Sequence, residues 1–214
     1  DLIFGITGLL SFGHSMFYGV GAYLTGIAIK SFGLSLLPTL GLVFIAAILQ
    51  AILFGLVLPR VKGITFALVT LGIASVFHIV VMSSELGPYT GADVGLQGVI
   101  VPAFISPANE RLRFYFVALT VMVLVYLVYQ RFVTSPTGRV CIAIRENEGR
   151  ARMLGYNTFY FKLAALTLSS LTAALAGFFH TLYQPIVSPN VAGLGFTVTA
   201  LLIIPIRIAG TVAG

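Results

Sequence analysis

The residues able to do chemistry are few, and they form no catalytic set. Ser11 and His14 offer a hydroxyl and a base, but a nucleophile pair needs a third group that orients the base. No carboxylate lies near them in sequence. His14, His78 and His180 are far apart, and Cys141 is the single cysteine, so neither a zinc spacing nor an intrachain disulfide is read. For His14 the readings are a catalytic base, a metal ligand or a hydrogen bonder inside a helix bundle, and the last is favoured. Thr65 and Thr70 either line a polar path or back-bond to their own helix. No Gly-x-x-x-x-Gly-Lys-Ser/Thr loop is present, so ATP phosphates are not cradled by that route.

The elements that position these residues are set by composition. The chain has 214 residues, 58% of them apolar and only 8% charged. A soluble domain carries about 25% charge, and disorder needs still more. Both classes are excluded in favour of membrane-spanning helices, the structure that satisfies its own backbone in lipid. Six apolar stretches can be marked: 2–29, 36–58, 64–82, 114–130, 163–183 and a weaker 191–206 interrupted by Pro205. The first is longer than the roughly 20 residues one span needs. Its glycines place a break near Ser11–His14. Unwound backbone at membrane depth requires surrounding protein or a water-filled cavity. The break therefore reads as a wall of a translocation path (Ser11, Gly13, His14, Thr65, Thr70), against close packing by small residues such as Gly13, Gly19 and Gly21. The chain is expected to be one transmembrane domain over 1–214, a fragment with helices missing at both ends.

Charge sets the orientation. The net charge is +6, and the basic residues flank apolar runs, which fits topology better than nucleic acid. Putting 131–162 in the cytoplasm gathers Arg60, Lys62, Arg131, Arg139, Arg145, Arg150, Arg152 and Lys162 there. Lys30, Arg111 and Arg113 fall outside, with 83–113. The apolar stretches contain no Asp or Glu beyond Asp1 at the edge of the first. Ion-coupled carriers keep ionisable groups at membrane depth, so an externally powered carrier is the better reading.

The cytoplasmic loop 134–162 has local order. Asn147 is an N-cap, Glu148 a first-turn carboxylate favoured by the helix dipole, and Gly155 a C′ residue able to turn left-handed. About two turns are marginal alone in water. Met153 and Leu154 beside Arg150 and Arg152 suit a partner's cleft with acidic edges, against a merely solvated loop.

The string "SPTGRVCIAIRENEGRARMLGYNTFYFKL" resembles the cytoplasmic loop of permease subunits of branched-chain amino acid ABC importers. The matching positions are Gly138, Arg139, Ala143 to Glu148, Leu154 to Asn157, and Lys162. "GLLSFGHSMFYGVGAY" (8–23), "GITFALVTLG" (63–72) and "TGADVGL" (90–96) resemble further family segments, in the family's order. Two departures stand out. Gly149-Arg150-Ala151-Arg152 replaces an Ala-rich turn, where a mid-helix Gly costs about 1 kcal/mol. Arg207-Ile208 replaces glycines near the end.

The resemblance implies an all-α, polytopic transmembrane bundle with a broken or re-entrant helix, in an inner (plasma) membrane. It implies an ATPase-coupling loop carried by Arg139, Arg145, Glu146, Asn147, Glu148, Leu154, Gly155, Tyr156 and Asn157. Implied partners are two ABC ATPase subunits, a second permease subunit, an extracytoplasmic solute-binding protein and the lipid bilayer. No cofactor or metal belongs to this chain; ATP and Mg would sit on the ATPases. The implied cargo is leucine, isoleucine and valine, with urea or short-chain amides as the alternative. An ion-coupled secondary transporter, an intramembrane enzyme and a sensor or scaffold are the readings of other classes.

Overall fold

The computed structural model describes residues 3–8, 11–59, 61, 63–102, 105–107, 110–193 and 195. Arg60, Lys62, Arg207 and most of the sixth apolar stretch lie outside the described residues.

The first apolar stretch is broken, as its glycines require. Ile3–Thr7 form one π-helical turn, and Gly8 follows in the left-handed region with φ +68°. Helix α1 starts only at His14 and runs to Lys30. Two amides of the described residues between them are paired: Phe12 N–H donates to Thr70 Oγ1 at 3.2 Å, and Gly13 N–H to Ser11 Oγ at 3.3 Å. Helix α2, Leu36–Val57, carries Pro38 in its first turn, where a missing N–H costs nothing. Helix α3 spans Ile64–Met82. A single turn, α4 (Gly87–Thr90), and the two-residue strand β1 (Leu96–Gln97) lie in the next connection. Helices α5 (Arg111–Thr134), α6 (Pro136–Glu146), α7 (Glu148–Met153) and α8 (Thr158–Tyr183) follow, then strand β2 (Ile186–Val187). Helix α8 begins at Thr158 rather than 163 because Asn157 caps it, its Oδ1 accepting from Phe159 N–H at 3.2 Å.

Helices α2, α3, α5 and α8 are long and apolar enough to cross a bilayer. Helix α1, with 17 residues, is about 26 Å long at 1.5 Å per residue and is the interior helix. Small residues let α8 approach it. A Cβ at Gly21 would fall on the Ala174 carbonyl, and one at Gly177 on the Tyr18 carbonyl. Thr181 Oγ1 donates to Ala22 O across the seam at 3.0 Å. Close backbone approach is how helices gain contact where lipid supplies no hydrophobic drive. Helix α2 closes the second side. Ser170 Oγ donates to Ala47 O at 3.1 Å, and the Phe17 and Phe54 rings lie 4.9 Å apart. Helix α5 is peripheral: Phe114 is its one buried residue, set against Phe179 and Tyr183. The outward sides of α2 and α5 are apolar, with Ile45, Leu49, Leu56, Phe116 and Met122 exposed.

The far end of α1 is capped. Strands β1 and β2 pair antiparallel, Leu96 opposite Val187. The Leu96 side chain fills the space a Cβ at Gly26 would need, and Lys30 Nζ donates to Gln97 O at 2.7 Å. This ribbon is the one departure from an all-α build among the described residues. Its approach contains Ala92 at φ +46°, a conformation in which a Cβ crowds the backbone. Ala92→Gly is expected to raise stability by about 0.5–1 kcal/mol, the relief of left-handed strain less glycine's larger unfolded entropy. Thermal unfolding of the full-length protein in detergent checks it.

Candidate functional site

At the opposite end from the ribbon, 135–158 folds into three successive capped helix ends. Ser135 caps α6, its Oγ accepting from Gly138 N–H at 3.2 Å, and Pro136 takes the first helical position. The buried stripe Gly138, Cys141, Ile144 turns inward. Burial pushes the Cys141 thiol up to about 11, so it stays protonated and packs as a small apolar residue. Asn147, with extended backbone, ends α6 and caps α7, its Oδ1 accepting from Arg150 N–H at 2.9 Å. Helix α7 ends in a Schellman turn. Tyr156 N–H donates to Ala151 O at 3.2 Å and Gly155 N–H to Arg152 O at 3.0 Å, with Gly155 at φ +87°. Asn147 and Gly155 thus hold the positions their types suggest. Gly149 does not sit mid-helix. It is the second residue of α7 and exposed, so the propensity penalty expected of it is smaller.

Glu148 is the hub of this region. Its Oε1 accepts from Lys162 Nζ at 2.9 Å, Arg152 Nη2 at 2.7 Å and Thr158 Oγ1 at 3.0 Å. Arg152 Nε also donates to Thr158 Oγ1 at 3.2 Å. Burial alone would push the Glu148 carboxyl up; the hydrogen bond and charge of Lys162, with Thr158 and Arg152, outweigh it and hold it below the usual carboxylate range. Helix α7 is thereby fastened to the first turns of α8. What α7 presents outward is Met153 and Leu154, 87% and 72% exposed. Tyr156, Asn157, Arg139 and Glu146 are exposed with them. Arg145 is exposed too, but it is tethered. Its guanidinium donates to the Gly5 carbonyl of the π-turn, and its stem lies over Gly8. A polar cavity of about 200 Å³ opens beside it, lined by Thr7, Gly8, Gly63, Arg145, Glu148 and Lys162.

The structure gathers Ser11, Gly13, His14 and Thr70 at the break. Ser11 and Thr70 are buried, and the Phe54 ring occupies the space beside Gly13. His14 Nδ1 is 3.3 Å from Ser11 O, and Nε2 is 2.9 Å from Ser169 Oγ. A carbonyl only accepts, so the network assigns the proton to Nδ1 and makes Nε2 the acceptor of the Ser169 hydroxyl. Thr65 stands apart, exposed on the first turn of α3. Sequence reasoning missed Ser169, α6 as a helix, and the Glu148–Lys162 pair. Ser135-Pro136 is a cap-then-proline signal that finds α6. Among the described residues no group of three or more His, Cys, Asp or Glu gathers to hold a metal ion.

Spanning helices packed around a broken, buried helix, with ordered polar connections at both ends, define a polytopic α-helical integral membrane protein. The chain belongs to the family described as branched-chain amino acid transport system / permease component, whose sequence model matches residues 1–214. It is 30% identical to the high-affinity branched-chain amino acid transport system permease protein LivM of Salmonella typhimurium, over 89% of this chain and 50% of that protein. Against LivM of Escherichia coli the identity is 28%, with the same coverage. A probable branched-chain amino acid transport permease LivM of Methanocaldococcus jannaschii is 25% identical over 78% of this chain and 52% of that protein. The chain spans about half the length of these curated relatives. No solved structure matches it.

Proposed function

We propose that this chain is part of a permease subunit of an ATP-driven ABC importer that moves leucine, isoleucine and valine across a bacterial or archaeal plasma membrane. The family match over residues 1–214 carries the reading. The LivM relatives, named as high-affinity branched-chain amino acid transport permeases, supply the cargo class. The basic loop faces the cytoplasm. Its helices α6 and α7 couple to two ATPase subunits, which bind ATP and Mg; a second permease subunit completes the pathway, and a solute-binding protein delivers cargo from outside. The support from geometry is the exposed apolar pair Met153 and Leu154 at the end of a short helix capped at both ends, with the exposed Arg150 nearby in the same helix. Such a surface fits a cleft with acidic edges. The break at Ser11–His14 and its anchors Thr70 and Ser169 form a wall of the path.

Gly155→Leu tests the coupling element. A left-handed Leu costs about 1–2 kcal/mol, enough to unravel the Schellman turn of a six-residue helix. In a detergent pull-down of the tagged full-length permease from its native host, the wild type is expected to retain an ATPase bearing a phosphate-binding glycine loop. The variant is expected to lose at least fivefold of it. Equal retention by both removes α7 as the coupling element. No ATPase with the wild type removes the ABC reading. Uptake of labelled leucine against labelled urea by the restored transporter decides the cargo.

A further inference from the structure

Two separate tethers leave the α6–α7 unit. One is the Glu148–Lys162 pair, which ends on α8. The other is Arg145, which ends on the N-terminal segment ahead of the break. Its guanidinium donates to the Gly5 carbonyl, and its Cγ occupies the place a side chain at Gly8 would take, only 2.8 Å from a Cβ built there. An apolar contact runs alongside: Ile6 of the π-turn packs into the small cluster built on Cys141 of α6 and Ala165 of α8. The same N-terminal segment leads through Gly8 into the unwound stretch whose amides hang on Thr70 and Ser11. From there it enters α1 at His14, itself pinned to Ser169. Gly8, left-handed at φ +68°, lies between the tethered turn and the break.

We infer that Arg145 is a positioning residue that ties α6 to the broken N-terminal helix, so that a displacement of α6 reaches the break directly and not only through α8. The inference rests on the importer reading of the previous subsection and adds the route by which the loop acts on the path. Arg145 is exposed, but its guanidinium is engaged by the Gly5 carbonyl and its stem by Gly8; its part is to transmit, not to dock.

The test uses the full-length permease reconstituted with its partner subunits in liposomes. Gly8→Ala leaves the sequence of the 134–162 loop unaltered but places a methyl where the Arg145 stem lies. The expected result is that the ATPase subunits still co-purify and still hydrolyse ATP, while amino acid taken up per ATP hydrolysed falls at least fivefold. Unchanged uptake per ATP overturns the inference. Because Gly8→Ala also strains a left-handed position, Arg145→Gln provides a second reading in the permease alone. Hydrogen exchange at the Phe12 and Gly13 amides is expected to quicken at least tenfold; unchanged exchange overturns the tether. A wild-type complex that holds no ATPase refutes the importer reading and the transmission role with it. That failure appears in the unmutated protein, so it is not mistaken for a failure of the tether.

Discussion

Glu148→Ala is expected to destabilise the full-length protein by about 2 kcal/mol, because removing this half-buried carboxylate leaves the more deeply buried Lys162 charge uncompensated. The charge left behind is Lys162, whose side chain is 9% exposed and whose carboxylate partner is this one. Arg152 is half in solvent and loses less. The double variant Glu148→Ala with Lys162→Met is expected to recover most of the loss, since an apolar replacement of a whole buried pair is often neutral. A thermal-unfolding cycle over the four proteins measures the coupling, and additivity would remove the pair from the account. Acid provides the same test without mutation. The Glu148 carboxyl is held below its ordinary value, so its contribution is fully present above the usual carboxylate range and is lost as pH falls through the depressed folded value. The unfolding midpoint of the wild type therefore drops on acidification by more than that of Glu148→Gln.

Gly177→Val is expected to abolish the folded bundle, at a cost of about 3 kcal/mol or more, the upper end of overpacking penalties. The obstruction is backbone on a neighbouring helix, the Tyr18 carbonyl and the Ala22 nitrogen, and neither can rotate away. Gly41→Ala is the control. Nothing lies within 4 Å of a Cβ there, so the change gains up to about 1 kcal/mol of helix propensity. Yield of monodisperse protein in mild detergent reads both, and an unaffected Gly177→Val would show that α1 and α8 are not held by close approach.

What could be read from residues alone follows the physics of each signal. Apolar length reports spans, so α2 and α3 fall where the sequence puts them. Left-handed glycines and Asx caps act over a few residues, which is why the break before His14 and the boundaries at Asn147 and Gly155 were legible. The limits of α5 and α8 were drawn too tight because polar ends continue a helix that apolar counting stops. The pairs that join distant segments carry no local mark. Nothing near Ser169 announces His14, 155 positions away. Nothing near Arg145 announces Gly5, 140 positions away. The resemblance named Glu148 and Lys162 singly, but only folding shows them sharing one oxygen.

The partnership of α1 with α8 has a consequence for synthesis. Helix α1 is made before its partners, and the helix that fills the seam at Gly21 and the strand that pairs with Leu96 follow only after everything from Ser31 to Asn157. At translation speeds of about 5–20 residues per second, that interval is on the order of 10 s. For that time the small-residue face of α1 stands open within the bilayer, and Leu96 lacks its strand partner. Insertion must therefore shelter an unfinished helix, and a stall between α5 and α8 strands a nascent chain in which α1 has no mate.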